Sequence, residues 1–203
     1  MLGSMLAKRR ASFAGLGGFL FVFAAIAACG GEPTPPAQAF VASNSDFAVG
    51  GETLCPTNPS DWIDIGTSSK SVKDAESQNG AVVTVYCRVA PLKAGGFDVE
   101  ARASIKGDNG GTVQIIGTLA GGKAEKVSAT FQKGAYGSFF QSDCTIDYSS
   151  NPNMGIAEGR VWGHVDCAKA ADTSGRRVGN EVAACKFFGE LKFENCARSA
   201  DGT

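Results

Sequence analysis

Phe97-Asp98-Val99-Glu100-Ala101-Arg102-Ala103-Ser104-Ile105-Lys106 alternates apolar and polar residues without a break. Phe97, Val99, Ala101, Ala103 and Ile105 fall on one face, and Asp98, Glu100, Arg102, Ser104 and Lys106 on the other. Side chains in a strand point to opposite sides in turn, so this pattern predicts a strand with one face on a core and one in water. Such strands belong to antiparallel sheets. Gly107-Asp108-Asn109-Gly110-Gly111 follows, rich in residues that tolerate positive φ, and predicts a hairpin turn.

The same reading extends in both directions. Downstream, Thr112 to Ala120 aligns Val113, Ile115 and Leu119, Gly121-Gly122 turns the chain, and Val127, Ala129 and Phe131 alternate in a third strand. Upstream, Val82 to Ala90 aligns Val83, Val85, Cys87 and Val89. Toward the C-terminus, Phe139 to Tyr148 aligns Phe140, Cys144, Ile146 and Tyr148. Arg160 to Cys167 aligns Val161, Gly163, Val165 and Cys167, and Lys186 to Glu194 aligns Phe187, Leu191 and Phe193. The two doublets Phe139-Phe140 and Phe187-Phe188 each place one ring on the outer face. Only Asp61 to Ile65 and Ser71 to Ser77 read as short helices. Seven or more short strands joined by Gly-rich turns predict an all-β fold, here an antiparallel β-sandwich over residues 46–203.

The N-terminus reads differently. Lys8, Arg9 and Arg10 precede an apolar run from Phe13 to Ala28, which is the length of a signal h-region and shorter than the roughly 20 residues of a membrane-spanning helix. Ile26-Ala27-Ala28-Cys29 closes it and resembles the lipobox of bacterial lipoproteins. That resemblance implies that residues 1–28 are a signal peptide, that Cys29 carries the lipid, and that the chain is held in the cell envelope by it. In a Gram-negative host, Gly30 after the lipidated Cys implies sorting to the outer membrane. Residues 29–45 then read as an anchor and tether, with Pro33, Pro35 and Pro36 favouring extended chain.

Cysteine arithmetic agrees with export. Of seven Cys, Cys29 is taken by the lipobox, which leaves an even set: Cys55, Cys87, Cys144, Cys167, Cys185 and Cys196. An exported domain with an even number is expected to pair them all. Six Cys allow 15 connectivities, among which sequence does not choose; the pairing we favour is Cys55 with Cys87, tying the N-terminal segment to the first strong strand, Cys144 with Cys167 if their strands form a hairpin and, by exclusion, Cys185 with Cys196.

Composition narrows the function. Three of the 19 basic residues lie in the signal and none of the 20 acidic ones do, so residues 29–203 carry 16 against 20. No basic patch stands out, and nucleic acid is excluded as the expected partner. The single histidine, His164, shares a strand face with Arg160, Trp162 and Asp166, and this row is the candidate binding face because Trp and Arg are favoured at recognition hot spots. One His without CxxC or HxH, and Asp61 and Asp64 as an isolated carboxylate pair, predict no metal site and no cofactor. No Ser lies in a Gly-x-Ser-x-Gly context, and no catalytic residue is expected. The expected function is a lipid-anchored, non-catalytic binding or interaction module whose partner is an envelope protein, polymer or small apolar ligand. A carrier of a small hydrophobic ligand is the alternative, and an envelope hydrolase the third reading.

The segments Cys55-Pro56, Asp61-Trp62-Ile63-Asp64-Ile65-Gly66, Gly159 to Cys167 and Phe193-Glu194-Asn195-Cys196 resemble those of small, uncharacterised disulfide-rich lipoproteins of myxobacterial type, over about residues 52–196. The resemblance implies no activity and no site residues. A lipidated, disulfide-tied β domain is also similar in architecture to the small mycobacterial lipoprotein antigens, an analogy of fold alone.

Overall fold

The structure is a computed structural model that describes residues 34–47, 54–57, 60–107 and 110–199. The signal sequence, Cys29 and the first part of the tether lie outside the described residues. Among those described, the strands in chain order are β1 (Gln38–Phe47), β2 (Ser60–Ile65), β3 (Val72–Lys73), β4 (Ser77–Gln78), β5 (Ala81–Pro91), β6 (Phe97–Ile105) and β7 (Gly111–Leu119). They continue with β8 (Ala124–Lys133), β9 (Gly137–Asp147), β10 (Gly155–Ala157), β11 (Arg160–Asp172), β12 (Arg177–Val178), β13 (Glu181–Val182) and β14 (Ala184–Glu194).

All the strand pairs are antiparallel, and the sheet runs β2-β1-β14-β11-β9-β8-β7-β6-β5-β4. From β5 to β14 each long strand lies beside its neighbour in the chain, the consequence of short Gly-rich turns. β1 then joins β14 from the far end of the sequence, pairing Gln38 with Glu194 through Phe47 with Cys185. The β1 and β5 ends of the sheet approach each other through intervening chain. Asp74 N donates to Ala37 O (2.8 Å), Ala75 N to Val83 O (3.0 Å) and Val85 N to the Asp74 carboxylate (2.8 Å). Farther along β5, Ala197 N donates to Cys87 O and Val89 N to Ala197 O, both at 2.9 Å. The fold is therefore one antiparallel sheet nearly closed into a barrel, not the sandwich expected from sequence. Alternation states which face is buried, and it is identical whether that face meets a second sheet or the far side of its own.

The inner face forms one core. Val83, Val85 and Val89 of β5, Val99, Ala101 and Ala103 of β6, and Val113, Ile115 and Leu119 of β7 meet the Phe-rich side made by β8, β9 and β14. Phe131 and Phe187 stack with centroids 4.6 Å apart and an interplanar angle of 7°. Trp62 packs edge-on against Phe187 at 4.9 Å and Phe139 at 5.9 Å. Offset and edge-to-face contacts of this kind add to the hydrophobic gain of burying the rings.

Several expectations need correction. β1 begins at Gln38, inside the stretch read as tether, because no proline follows Pro36 there and Ala39 and Val41 alternate into the core. Asp61 to Ile65 is strand β2, and Ser71 to Ser77 is two short strands around a turn; pairing with β1 and β5 overrides their weak local preference. In β9 it is Phe139 that is buried and Phe140 that is 44% exposed, the reverse of the alignment with Cys144. The β8–β9 register shifts between Val127 and Ala129, and this irregularity reverses the alternation.

All six expected cysteines are paired, but two bridges differ from expectation. Cys144 joins Cys167, as predicted, while Cys55 joins Cys185 and Cys87 joins Cys196. Cys185 and Cys196 sit at the two ends of β14, about 11 residues apart on an extended strand, and at roughly 3.3 Å per residue they cannot meet.

Among the described glycines, Gly189 of β14 leaves the least room for a Cβ. A Cβ there would lie 2.2 Å from Ala42 O and 2.7 Å from Ser43 Cα, both backbone atoms of β1. Gly189→Ala is expected to destabilise the barrel by about 1–3 kcal/mol through this overpacking. A shift of the urea midpoint at unchanged m-value measures it, and an unshifted midpoint contradicts the close approach.

Candidate functional site

The structure brings Arg160, Trp162, His164 and Asp166 together as the outer row of β11, opposite Val161 and Val165. Their chemistry is spent locally. Trp162 is only 9% exposed; its indole Nε1 donates to Glu190 Oε1 at 2.6 Å. Lys192 Nζ and the Arg160 guanidinium lie over its ring at 4.9 and 5.9 Å. Lys192 pairs with Glu194 at 3.0 Å, and Glu194 also accepts from Gln38 (3.0 Å) and Ser71 (3.1 Å). Burial raises the Glu194 pKa, yet Lys192, Gln38 and Ser71 together outweigh it and hold the carboxyl below its ordinary range. Asp166 pairs with Lys186 at 3.3 Å, and His164 lies in register with Glu190 on β14 and Asp147 on β9. This face binds β11 to β14 and β1, with its aromatic ring covered by cations of its own chain.

A more open arrangement lies at β2. The β1–β2 register shifts between Ser43 and Asn44, so that Asn44 pairs with Asp61 and Ser43 with Ile63, and Trp62 is the extra residue of a bulge. The Ser43 hydroxyl occupies the irregularity, accepting from Ile63 N and lying 3.1 Å from Ile63 O. The consequence is chemical. Asp61 and Asp64, three residues apart, would face opposite ways in a regular strand, yet both are exposed while Trp62 and Ile63 are buried.

The two aspartates border a cleft of about 510 Å³ between β2 and the ends of β4–β8. Gln78 and Asn79 of the β4–β5 turn, Lys106 after β6 and Lys133 of β8 line it from the other side. Lys133 Nζ donates to the Asp61 carbonyl at 3.0 Å and lies 5.7 Å from the centre of the Trp62 ring. The Gln78 amide donates to Asp64 O (3.1 Å) and accepts from Gly66 N (2.7 Å). These bonds tie β2 to the opposite side of the cleft. Trp62, which also lines the cleft, has a buried Nε1–H with no partner. Among the described residues, no ion pair joins Asp61 or Asp64 to Lys106 or Lys133.

Burial raises the pKa of Asp64, the charge of Asp61 raises it further, and Lys133 opposes both. For an acid whose folded pKa is raised, folding favours the protonated form. That contribution is complete below the ordinary carboxylate range and is lost as pH rises through it. Asp64→Asn is therefore expected to raise the melting temperature at pH 7 and to leave it unchanged near pH 3, below the ordinary Asp value of about 3.9. Thermal denaturation of both proteins at the two pH values checks this, and a lower melting temperature for the variant at pH 7 contradicts it.

The sequence had marked Asp61 and Asp64 only as an isolated pair. The signal that could have found the site is the adjacency of two large apolar residues, Trp62-Ile63, which breaks alternation and is what a bulge requires. Lys106, Lys133, Gln78 and Asn79 carry no such local mark, since the fold alone brings them to β2. Compared with known proteins, the chain matches no family model, no curated relative and no solved structure.

Proposed function

We propose that this chain is a lipid-anchored, non-catalytic binding module of the cell envelope, held at the outer membrane where the host is Gram-negative, and that the cleft beside β2 is its binding site. The observation that carries the reading is the cleft itself: an open site of about 510 Å³ whose charges of opposite sign are not paired with each other. Its volume lies within the roughly 300–1,000 Å³ of small-molecule sites. Charged groups not closed into ion pairs with each other, on a barrel tied by three disulfides, are set in advance for a ligand. The lipobox at Ile26–Cys29 supports anchoring, and the pairing of the other six cysteines supports export to an oxidising compartment.

The hydrophobic carrier asks for an apolar cavity within the sheet, where Trp62, Phe131, Phe139 and Phe187 pack on one another. That packing favours the cleft over the interior. Native mass spectrometry of the full chain, taken from envelopes in mild detergent, tests the reading. A noncovalent adduct is expected on the unaltered protein and absent from Ala81→Trp, which fills the cleft from the start of β5. An adduct that survives this substitution, or none on either protein, overturns the assignment.

A further inference from the structure

The cleft holds both signs of charge: Asp61 and Asp64 on β2, Lys106 from the end of β6, and Lys133, which reaches across from β8 to donate to the Asp61 carbonyl. We propose that the cleft binds a small zwitterion, with the ligand's ammonium between Asp61 and Asp64 and its carboxylate toward Lys106; a free amino acid or short peptide with both termini unblocked is the chemical class that fits. The inference rests on the cleft being a binding site and specifies what enters it.

Charge complementarity decides among ligand classes. An ammonium seated between two carboxylates relieves the repulsion that Asp61 exerts on Asp64. A simple cation would meet Lys133 on the way in, and a simple anion would meet the two aspartates. A neutral sugar would want an open aromatic face, whereas Trp62 is 2% exposed and has Lys133 over its ring. A molecule carrying both charges satisfies both signs, and the polar side chains of Gln78 and Asn79 border the space between for an amide linkage. A volume of about 510 Å³ is of the size that small-molecule sites have.

Isothermal titration of the full chain in mild detergent tests this with three probes: alanyl-alanine, its N-acetyl derivative and its C-terminal amide. Alanyl-alanine is expected to bind, and blocking either end to weaken it by at least about tenfold. Asp61→Asn with Asp64→Asn should lower affinity for alanyl-alanine to that of the N-acetyl form, and Lys106→Gln to that of the amide. These residues make none of the ion pairs described above, so unchanged circular dichroism is expected and serves as the check on folding. Equal binding of all three probes overturns the zwitterion, as does no binding of any at about 10 mM, a level at which even millimolar affinity saturates. If Ala81→Trp still removes a native adduct while alanyl-alanine fails to bind, the cleft remains the binding site and only the ligand class is wrong.

Discussion

Replacing Cys87 and Cys196 together with alanine is expected to lower the unfolding free energy by about 2–4 kcal/mol, more than removing Cys144 and Cys167 together. Three features set the order. The first is loop length: the cysteines are 109 residues apart in one bridge and 23 in the other. The chain-entropy account assigns about 4.7 kcal/mol to a loop of roughly 100 residues and about 3 to one of roughly 15. Cys55–Cys185 already constrains much of the same denatured chain, which brings the first figure down. The second is position. Cys196 is followed by Ala197, whose N–H and C=O bond Cys87 O and Val89 N, while Gly159 N bonds Val89 O and Gly159 O accepts from Cys196 N. The bridge thus clamps the free edge of β5, where the sheet has no neighbouring long strand, and its loss exposes edge groups to water. The third is redundancy: Cys144 and Cys167 sit on β9 and β11, which their own ladder already joins. Urea denaturation of the two double variants measures the ranking, and a larger loss for the Cys144/Cys167 pair would contradict it. Against a total stability of about 5–15 kcal/mol, the seam bridge is a large share.

The same contrast explains what was legible in the sequence. Phe97 to Ile105 and its partner Gly111 to Leu119 are a hairpin, so turn chemistry and alternation together fixed their faces and nearly their ends. Cys144 and Cys167 lie on strands that are neighbours in the chain, and proximity paired them correctly. Cys55 fails the same logic because its partner lies 130 residues away, on a strand that only closure of the sheet brings near. Closure depends on β1 meeting β14, a pairing whose loop spans almost the whole domain and leaves no local mark. The cleft was hidden for two reasons of this kind. The bulge at Trp62 moves Asp64 to the face of Asp61, and Lys133 reaches Asp61 across 72 residues of chain. The face at Arg160, Trp162, His164 and Asp166 was legible as a row, but not its neutralisation, because Glu190 and Lys192 belong to β14.

Substituting Cys29 with alanine is expected to abolish incorporation of labelled palmitate. On the proposed reading the lipobox-like Ile26–Cys29 would supply the attachment. Among the described residues no helix is long and apolar enough to cross a membrane. The outer face of β6 is Asp98, Glu100, Arg102 and Ser104, and Arg88 on β5 pairs with Asp98 at 2.5 Å. A charged Arg or Lys facing lipid at mid-bilayer costs about 2–4 kcal/mol, so this outer face belongs in water. Each acyl methylene buried in the bilayer contributes about 0.8 kcal/mol, and one chain alone gives only marginal attachment, so stable anchoring needs the multiple acyl chains of a processed lipoprotein. An uncut signal on Cys29→Ala would itself hold the chain in a membrane through Phe13–Ala28, which is why a second protein completes the test. Residues 30–203 behind a conventionally cleaved signal should appear in the soluble envelope fraction, with the three disulfides formed and the same urea midpoint as the lipidated protein. Membrane retention of that protein after a salt wash, or palmitate on Cys29→Ala, would place the anchor elsewhere in the chain.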